Sequence, residues 1–426
     1  MKEYLNKLPQ EIKELINIAS EIAVKNNMRA YLVGGFVRDL ILGVDNLDLD
    51  IVVEGEGIKF AQALAQKLEA RIIEHKRFGT ATVMASHKYK IDVATARKEV
   101  YPQAASLPIV QPGSLKDDLI RRDFTINAMA IDIMPEDFGR LIDVFSGKDD
   151  LKNKKIRFLH NLSFIDDPTR MLRAMRFEQR YDFKLEANTL KYLKQAQKVK
   201  ILESVEPQRL RDELILALKE HDPLKLLKRI NELLRFSFVS PGLSLKKKDL
   251  DLLVRIKNQI DWFERNFPTR RSLDIWLIYL LGLLAPLDKA KANIFCKSFA
   301  LRRSERIRIL SSKSITSKSI LDLSSSQVKA SKIFSSLDRF SYEVIIFIKA
   351  KYKNHNIQEY VADFFEIYND VRPYISGDDL RGLGITPSPL YKKVFTKVLN
   401  AKLDGVVKTK EEEMALIKKL LKFKKE

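Results

Sequence analysis

The hydrophobic positions of this chain change their spacing part-way along its length. Up to about residue 150, short runs with two-residue alternation take turns with stretches of 3.6-residue period; beyond it, only the helical period persists. The front segment predicts a helix over roughly 8–26, a short strand in "AYLVGG", and a helix in "FVRDLILG" stopped by Gly43. "LDLDIVV" follows as a strand, "GIKFAQALAQKLEA" as a helix and "TATVMASHKYKIDVATA" as a strand hairpin. Residues 98–116 hold three prolines and little periodicity, which predicts a loop, and a last short strand lies near "NAMAIDI". Past Asp150, "DPTRMLRAMRFEQR", "LKYLKQAQKV", "PQRLRDELILALKE" and "PLKLLKRINELLRF" predict successive amphipathic helices. The helical pattern then runs to the end, interrupted at "KKKDL", at the serine-rich "SSKSITSKSI" and at "GITPSP", with no internal repeat. The expected fold class is α+β, a small mixed-sheet head followed by an extended all-α arm.

Charge sharpens that division. Of 76 Lys+Arg and 56 Asp+Glu, residues 1–150 carry 20 and 23, a net of −3, so residues 151–426 carry a net of +23. A basic excess of this size points to a polyanion partner, the alternative being a solvated lysine-rich surface. Composition excludes other classes. The single cysteine, Cys296, rules out a disulfide framework or a cysteine-based zinc site and reads as a small buried hydrophobe. The five histidines have no ligand spacing. "IWLIYLLGLLAPL" falls short of the ~20 residues of a membrane span, so it is expected as a buried helix, in a soluble and cytoplasmic protein.

Candidate chemistry begins at "YLVGGFVRDLILGVDNLDLDIVV" from Tyr31. Gly34 and Gly35 sit where a strand becomes a helix, where bare backbone N–H groups can approach a phosphate, and Arg38 follows on the first turn. Asp48 and Asp50, two apart on a strand, project from one face and repel unless a cation lies between them. Hard oxygen ligands suit magnesium, and Asp92 on another strand is a candidate third carboxylate. The competing explanation is a solvent-facing strand edge. In "RRDFTINAMAI", Arg122 is placed to hold phosphate, with Asp123 and Asn127 able to bond a ribose hydroxyl; alone, the stretch could be a capped turn.

In "FIDDPTRMLRAMRF", Pro168 opens a helix that Asp167 caps. Arg170, Arg173 and Arg176 fall on one half of its wheel and Met171, Leu172 and Met175 on the other, so the helix is expected to present Asp167 and Arg170 outward. Such a pair has a selection rule. Cytosine and adenine each show an exocyclic amine beside an unprotonated ring nitrogen, which a carboxylate and a guanidinium satisfy. Uracil and guanine show a carbonyl beside an N–H and leave both unpaired.

These elements, in this order, resemble the class II tRNA nucleotidyltransferase and bacterial poly(A) polymerase superfamily. The matching stretches are "GGFVRD" with "LDLD", "RRDFTINAMAI", "DDPTRMLRAMRF", "ISGDDLRGLGITPSP" and "LDGVVKT". The resemblance covers nearly the whole chain and implies a polymerase-β-like nucleotidyltransferase head at 1–150. It further implies a helical neck with the base-reading helix at 151–220, a body at 221–330 and a tRNA-binding tail at 331–426. Asp48 and Asp50 match the metal ligands of the family, with Arg122, Asp123 and Asn127 in its nucleotide motif and Asp167 with Arg170 as its base-reading pair. The implied partners are the acceptor and T-arm half of tRNA, ATP and CTP, and Mg2+. The implied activity is completion of the CCA end. The alternatives are addition of the terminal A alone beside a separate CC-adding enzyme, a poly(A) polymerase, or an inactive RNA-binding relative. Two departures stand out: Asp166 where the family often has glutamate, and "SPLYKKV" from Ser388 in place of a glycine-richer stretch.

Overall fold

The structure, a computed structural model, describes residues 1–45, 48–86, 89–315 and 323–422. It divides into two compact units, 1–238 and 239–426.

The first unit is built on strands β1 (Arg29–Val33), β2 (Leu49–Glu54), β3 (Arg71–His75), β4 (Thr80–Met84) and β5 (Ile91–Thr95). It continues with β6 (Arg97–Val100), β7 (Ile109–Pro112), β8 (Ala130–Asp132) and β9 (Leu141–Ile142). Seven of these form one sheet in the order β3-β4-β5-β2-β1-β8-β9, in which β2 and β5 run parallel and the other neighbours antiparallel. Leu49, Ile51, Val52 and Val53 are buried in the centre of it, and the helices Gln10–Lys25 and Gly57–Lys67 pack against it with Ile12, Ile16, Phe60 and Leu64. The mixed-sheet head expected from the alternating pattern is therefore present.

The loop expected over 98–116 is corrected. It contains most of β6 and all of β7, which form an antiparallel ribbon with Val100 opposite Ile109, and its last residues open the helix Leu115–Ile120. β7 is exposed along its length, so burial leaves no two-residue apolar signature there. β3, at the sheet edge, was missed for the same reason: "RIIEH" buries no side chain fully.

Beyond Asp150 the strands shrink to one two-residue parallel pair, Lys155–Ile156 with Lys184–Leu185. The helices Thr169–Arg180, Ala187–Lys198, Pro207–Leu218 and Pro223–Leu233 follow the predicted stretches. In the second unit, "KKKDL" is the start of a 20-residue helix, Lys247–Asn266, whose Asp249 carboxylate accepts from Lys246 N at 2.9 Å; the break lies before it. "IWLIYLLGL" is a helix, Ile275–Leu283, buried from Leu277 onward, and Cys296 is buried as expected. The second half of "SSKSITSKSI", from 316 on, lies outside the described residues, while "GITPSP" separates the helices Gly377–Gly382 and Pro389–Leu403. Among the described residues no helix is long and apolar enough to cross a membrane.

Candidate active site

β1 passes directly into the helix Gly34–Leu42, and Gly34 turns the corner at φ +69°, a conformation that costs glycine least. A Cβ at Gly34 would stand 2.7 Å from Arg122 Nη1 and 3.5 Å from Asp50 Oδ2. The missing side chain thus admits the Arg122 guanidinium to the corner where Asp50 leaves β2. Arg122 Nη2 also donates to the buried Asp118 at 2.8 Å, and its buried Nε has no hydrogen-bond partner.

The parallel register pairs Asp50 with Asp92. Burial pushes the Asp50 carboxyl up to about 6; Arg122 opposes that rise and Asp92 adds to it, with a smaller push from Asp48. Asp92 Oδ1 accepts from Thr82 Oγ1 at 2.6 Å, and Lys90 Nζ lies 3.1 Å from its Oδ2. Asp48 is the most open of the three, its side chain 61% exposed and 3.7 Å from the same ammonium. Among the described residues no three metal-ligating side chains form a ready-made cage. The three acids make an open row of hard oxygens. Their mutual repulsion, felt at Asp50, is the condition a divalent cation relieves, so the residues fit magnesium chemically.

Asp50 lines a cavity of ≈ 520 Å³ together with Gly34, Gly35, Arg38, Arg122, Asp123, Asn127, Asp167, Arg170, Arg173 and Arg176. Asp48 and Asp92 stand beside Asp50 but outside that lining. Arg121 and Arg180 add to it, so seven arginines face four acids, an excess of positive charge suited to a triphosphate. The arginines are held in a relay. Arg38 grips its neighbour Asp39 through Nε and Nη2, both at 2.8 Å, and donates from Nη1 to Asn127 Oδ1 at 2.6 Å. Asn127 Nδ2 donates to Asp123 Oδ1, and Arg173 closes on Asp123 Oδ2 at 2.6 and 2.9 Å. Burial works against the Asp123 charge, but Arg173 and the Asn127 amide outweigh it and hold the carboxyl down at about 2. Phe177 is the floor of this set, with the guanidinium carbons of Arg38, Arg173 and Arg176 at 5.4, 5.5 and 5.0 Å from its ring centre.

The outward orientation expected of the Thr169–Arg180 helix is corrected. Met171, Leu172 and Met175 are buried as expected, but Arg170 and Arg176 are only 4% and 6% exposed. Arg170 donates to Ser163 Oγ at 2.9 Å and to the Arg121 carbonyl at 2.6 Å, and Arg176 is wedged between Glu213 and Glu220. The wheel showed one polar face; Glu213 on the helix Pro207–Leu218, Glu220 just beyond it and a backbone carbonyl cover it. Asp167 caps the helix, accepting from Thr169 N and Oγ1 at 3.1 and 2.6 Å. Its ion-pair partner is Arg209, whose Nη2 lies 2.7 Å from Asp167 Oδ1. All three bonds fall on Oδ1. The departure at Asp166 lies outside the cavity lining, 3.9 Å from His160.

Sequence reasoning missed Arg209, Glu213, Arg121, Lys90 and Tyr101, a cavity-lining residue whose hydroxyl donates to Glu99. Only Arg209 and Glu213 left a signal, an Arg/Glu pair four apart on "PQRLRDEL".

Residues 30–157 match the poly A polymerase head domain. Over 96% of this chain and 93% of its own length, the A-adding tRNA nucleotidyltransferase of Halalkalibacterium halodurans is 31% identical. The chain belongs to the tRNA nucleotidyltransferase family. A second family member, the A-adding tRNA nucleotidyltransferase of Geobacter sulfurreducens, is 35% identical over 97% of this chain, which spans 47% of that longer protein. Among solved family structures, the Thermotoga maritima CCA-adding enzyme complexed with tRNA aligns with a TM-score of 0.78. It is 35% identical and the alignment covers 99% of this chain and 98% of that one.

Proposed function

We propose that the chain is an RNA 3′-end nucleotidyltransferase that completes the CCA terminus of tRNA from CTP and ATP, releasing pyrophosphate. The observation that carries this reading is the shared cavity: Asp50, the arginines and the Asp167/Arg170 pair line one space. The 3′-hydroxyl of the RNA attacks the α-phosphorus of the nucleotide. Asp48 and Asp50 hold magnesium with Asp92 beside them; when bound, the metal activates the attacking hydroxyl and offsets charge on the triphosphate. Arg122 and Arg176, both in the cavity lining, supply positive charge to the triphosphate. Arg38 holds Asn127, Asn127 donates to Asp123, and Arg173 locks Asp123 ionised, so the wall beneath the nucleotide is preorganised. Arg209 pins Asp167 through Oδ1, which leaves Oδ2 to accept from the exocyclic amine of C or A. Arg170, Arg173 and Arg176 bring donors to the ring nitrogen and phosphates, and Gly34 and Gly35 keep the corner open to them. Residues 151–220, 221–330 and 331–426 serve as neck, body and tRNA-binding tail, in a cytoplasmic protein.

A second reading is favoured by the names of the relatives: addition of the terminal A alone, with a separate CC-adding enzyme in the same cell. Product length decides. Purified protein with magnesium receives transcripts ending before CCA, after C and after CC, each with CTP, ATP or both. Extension of all three to one full length supports CCA addition. Growth of the CC-ended transcript alone, by one A, supports the second reading. A long tail, or no extension, overturns both.

A further inference from the structure

The row of acids has a fourth corner. Asp48 immediately precedes β2 and Asp50 is its second residue, Lys90 immediately precedes β5 and Asp92 is its second residue, and the strands run parallel with Asp50 beside Asp92. Continued one step back, that register sets Lys90 beside Asp48, and residues two apart share a face. The side chains agree. Lys90 Nζ lies 3.1 Å from Asp92 Oδ2 and 3.7 Å from Asp48 Oδ2. Three carboxylates and one ammonium thus occupy one square of the sheet.

We propose that Lys90 is a resident counter-ion of the metal site, whose ammonium holds Asp48 and Asp92 until a divalent cation displaces it. This rests on the reading of Asp48 and Asp50 as the metal-holding acids. A lone divalent cation must compete with a tethered positive charge and then tolerate it nearby. A cation arriving with a triphosphate brings the negative charge that takes the ammonium over. Lys90 therefore makes metal loading depend on nucleotide, which guards an open row of acids against filling on its own. Its side chain is 43% exposed, free enough to swing from carboxylate to phosphate.

The test is Mn2+ binding followed by electron paramagnetic resonance, first without nucleotide and then with ATP, on the full chain and on K90Q, K90R and D50N. K90Q is expected to bind Mn2+ about tenfold tighter than the parent, as follows from removing one charge at this range near a partly exposed site. K90R is expected to match the parent. Melting in chelator gives a second readout: K90Q melts lower than the parent, because the acids lose their counter-ion, and gains more from added Mn2+. Equal Mn2+ affinity of K90Q and the parent, with binding lost in D50N, overturns the role of Lys90 and leaves the metal site standing. Mn2+ binding that D50N does not change, or no binding even with ATP present, overturns both.

Discussion

Asp167 is held by a residue 42 positions away, and this decides what its carboxylate can do. Arg209 takes Oδ1 and fixes the plane of the group, so its loss frees Asp167 to turn. Arg209→Ala is therefore expected to lower the preference for ATP and CTP over GTP and UTP by roughly ten- to a hundredfold, on the order of 1–3 kcal/mol. Single-turnover incorporation of the four nucleotides measures it, and an unchanged preference would leave Arg209 a helix pin only. Gly34→Ala meets two penalties, a Cβ at φ +69° and a contact 2.7 Å from Arg122 Nη1. A loss of about 1–3 kcal/mol in unfolding free energy is expected, with triphosphate affinity falling alongside it. At this scale the sequence showed whatever a local rule could show: the glycine corner, two acids sharing a face, a capped helix. It did not show that Arg38 spends three donors on Asp39 and Asn127, or that Arg176 is buried between Glu213 and Glu220. Apart from the adjacent Arg38–Asp39 pair, those contacts join positions tens of residues apart, where no periodicity reaches.

Helices in the second unit are tied by a buried acid. Glu343, fully buried near the start of the helix Tyr342–Lys351, accepts from Arg271 Nη1 and Nη2 at 2.8 and 3.1 Å and from Asp274 N at 3.2 Å. Arg308, on the helix Arg303–Lys313, lies 3.5 Å from the same carboxylate. Burial disfavours the Glu343 charge, but Arg271 foremost, with the backbone N–H groups of Glu343 and Asp274, overcomes it and brings the carboxyl down to about 2. A depressed acid contributes stability that is complete above its unfolded value of about 4.5 and disappears as pH falls toward 2. The contribution is roughly 2–3 kcal/mol, so the second unit is expected to lose that much between pH 5 and 2. Urea titrations across this range check it, because Glu343→Gln removes this component of the acid limb; an acid limb equally steep in the variant would discard the linkage. Elements of this kind were legible where burial writes a period, as in "IWLIYLLGL". They were illegible where an element is exposed, as in β7, or only two residues long, as in β9.

Across the molecule, charge is unevenly spread, −3 over residues 1–150 and +23 over the rest. The proposed substrate is a polyanion, so most of the attraction must come from the basic segment, acting on phosphates rather than bases. Phosphate neutralisation releases counterions, and the affinity then falls as a power of salt concentration. Binding to tRNA is expected to weaken at least about a hundredfold between roughly 50 and 200 mM salt, as several phosphate contacts require. Fluorescence anisotropy with labelled tRNA gives the slope, and a change below about threefold would remove the basic segment from the account. A companion measurement separates attraction from recognition. A plain RNA duplex of equal charge offers phosphates at similar density without the folded tRNA shape, so its affinity should fall with nearly the same slope. The ratio of the two affinities should then stay constant across salt, because fit to a folded shape releases no further ions. If instead the ratio collapses as salt rises, the discrimination itself is ionic, and the basic helices read the path of the tRNA backbone instead of merely attracting it.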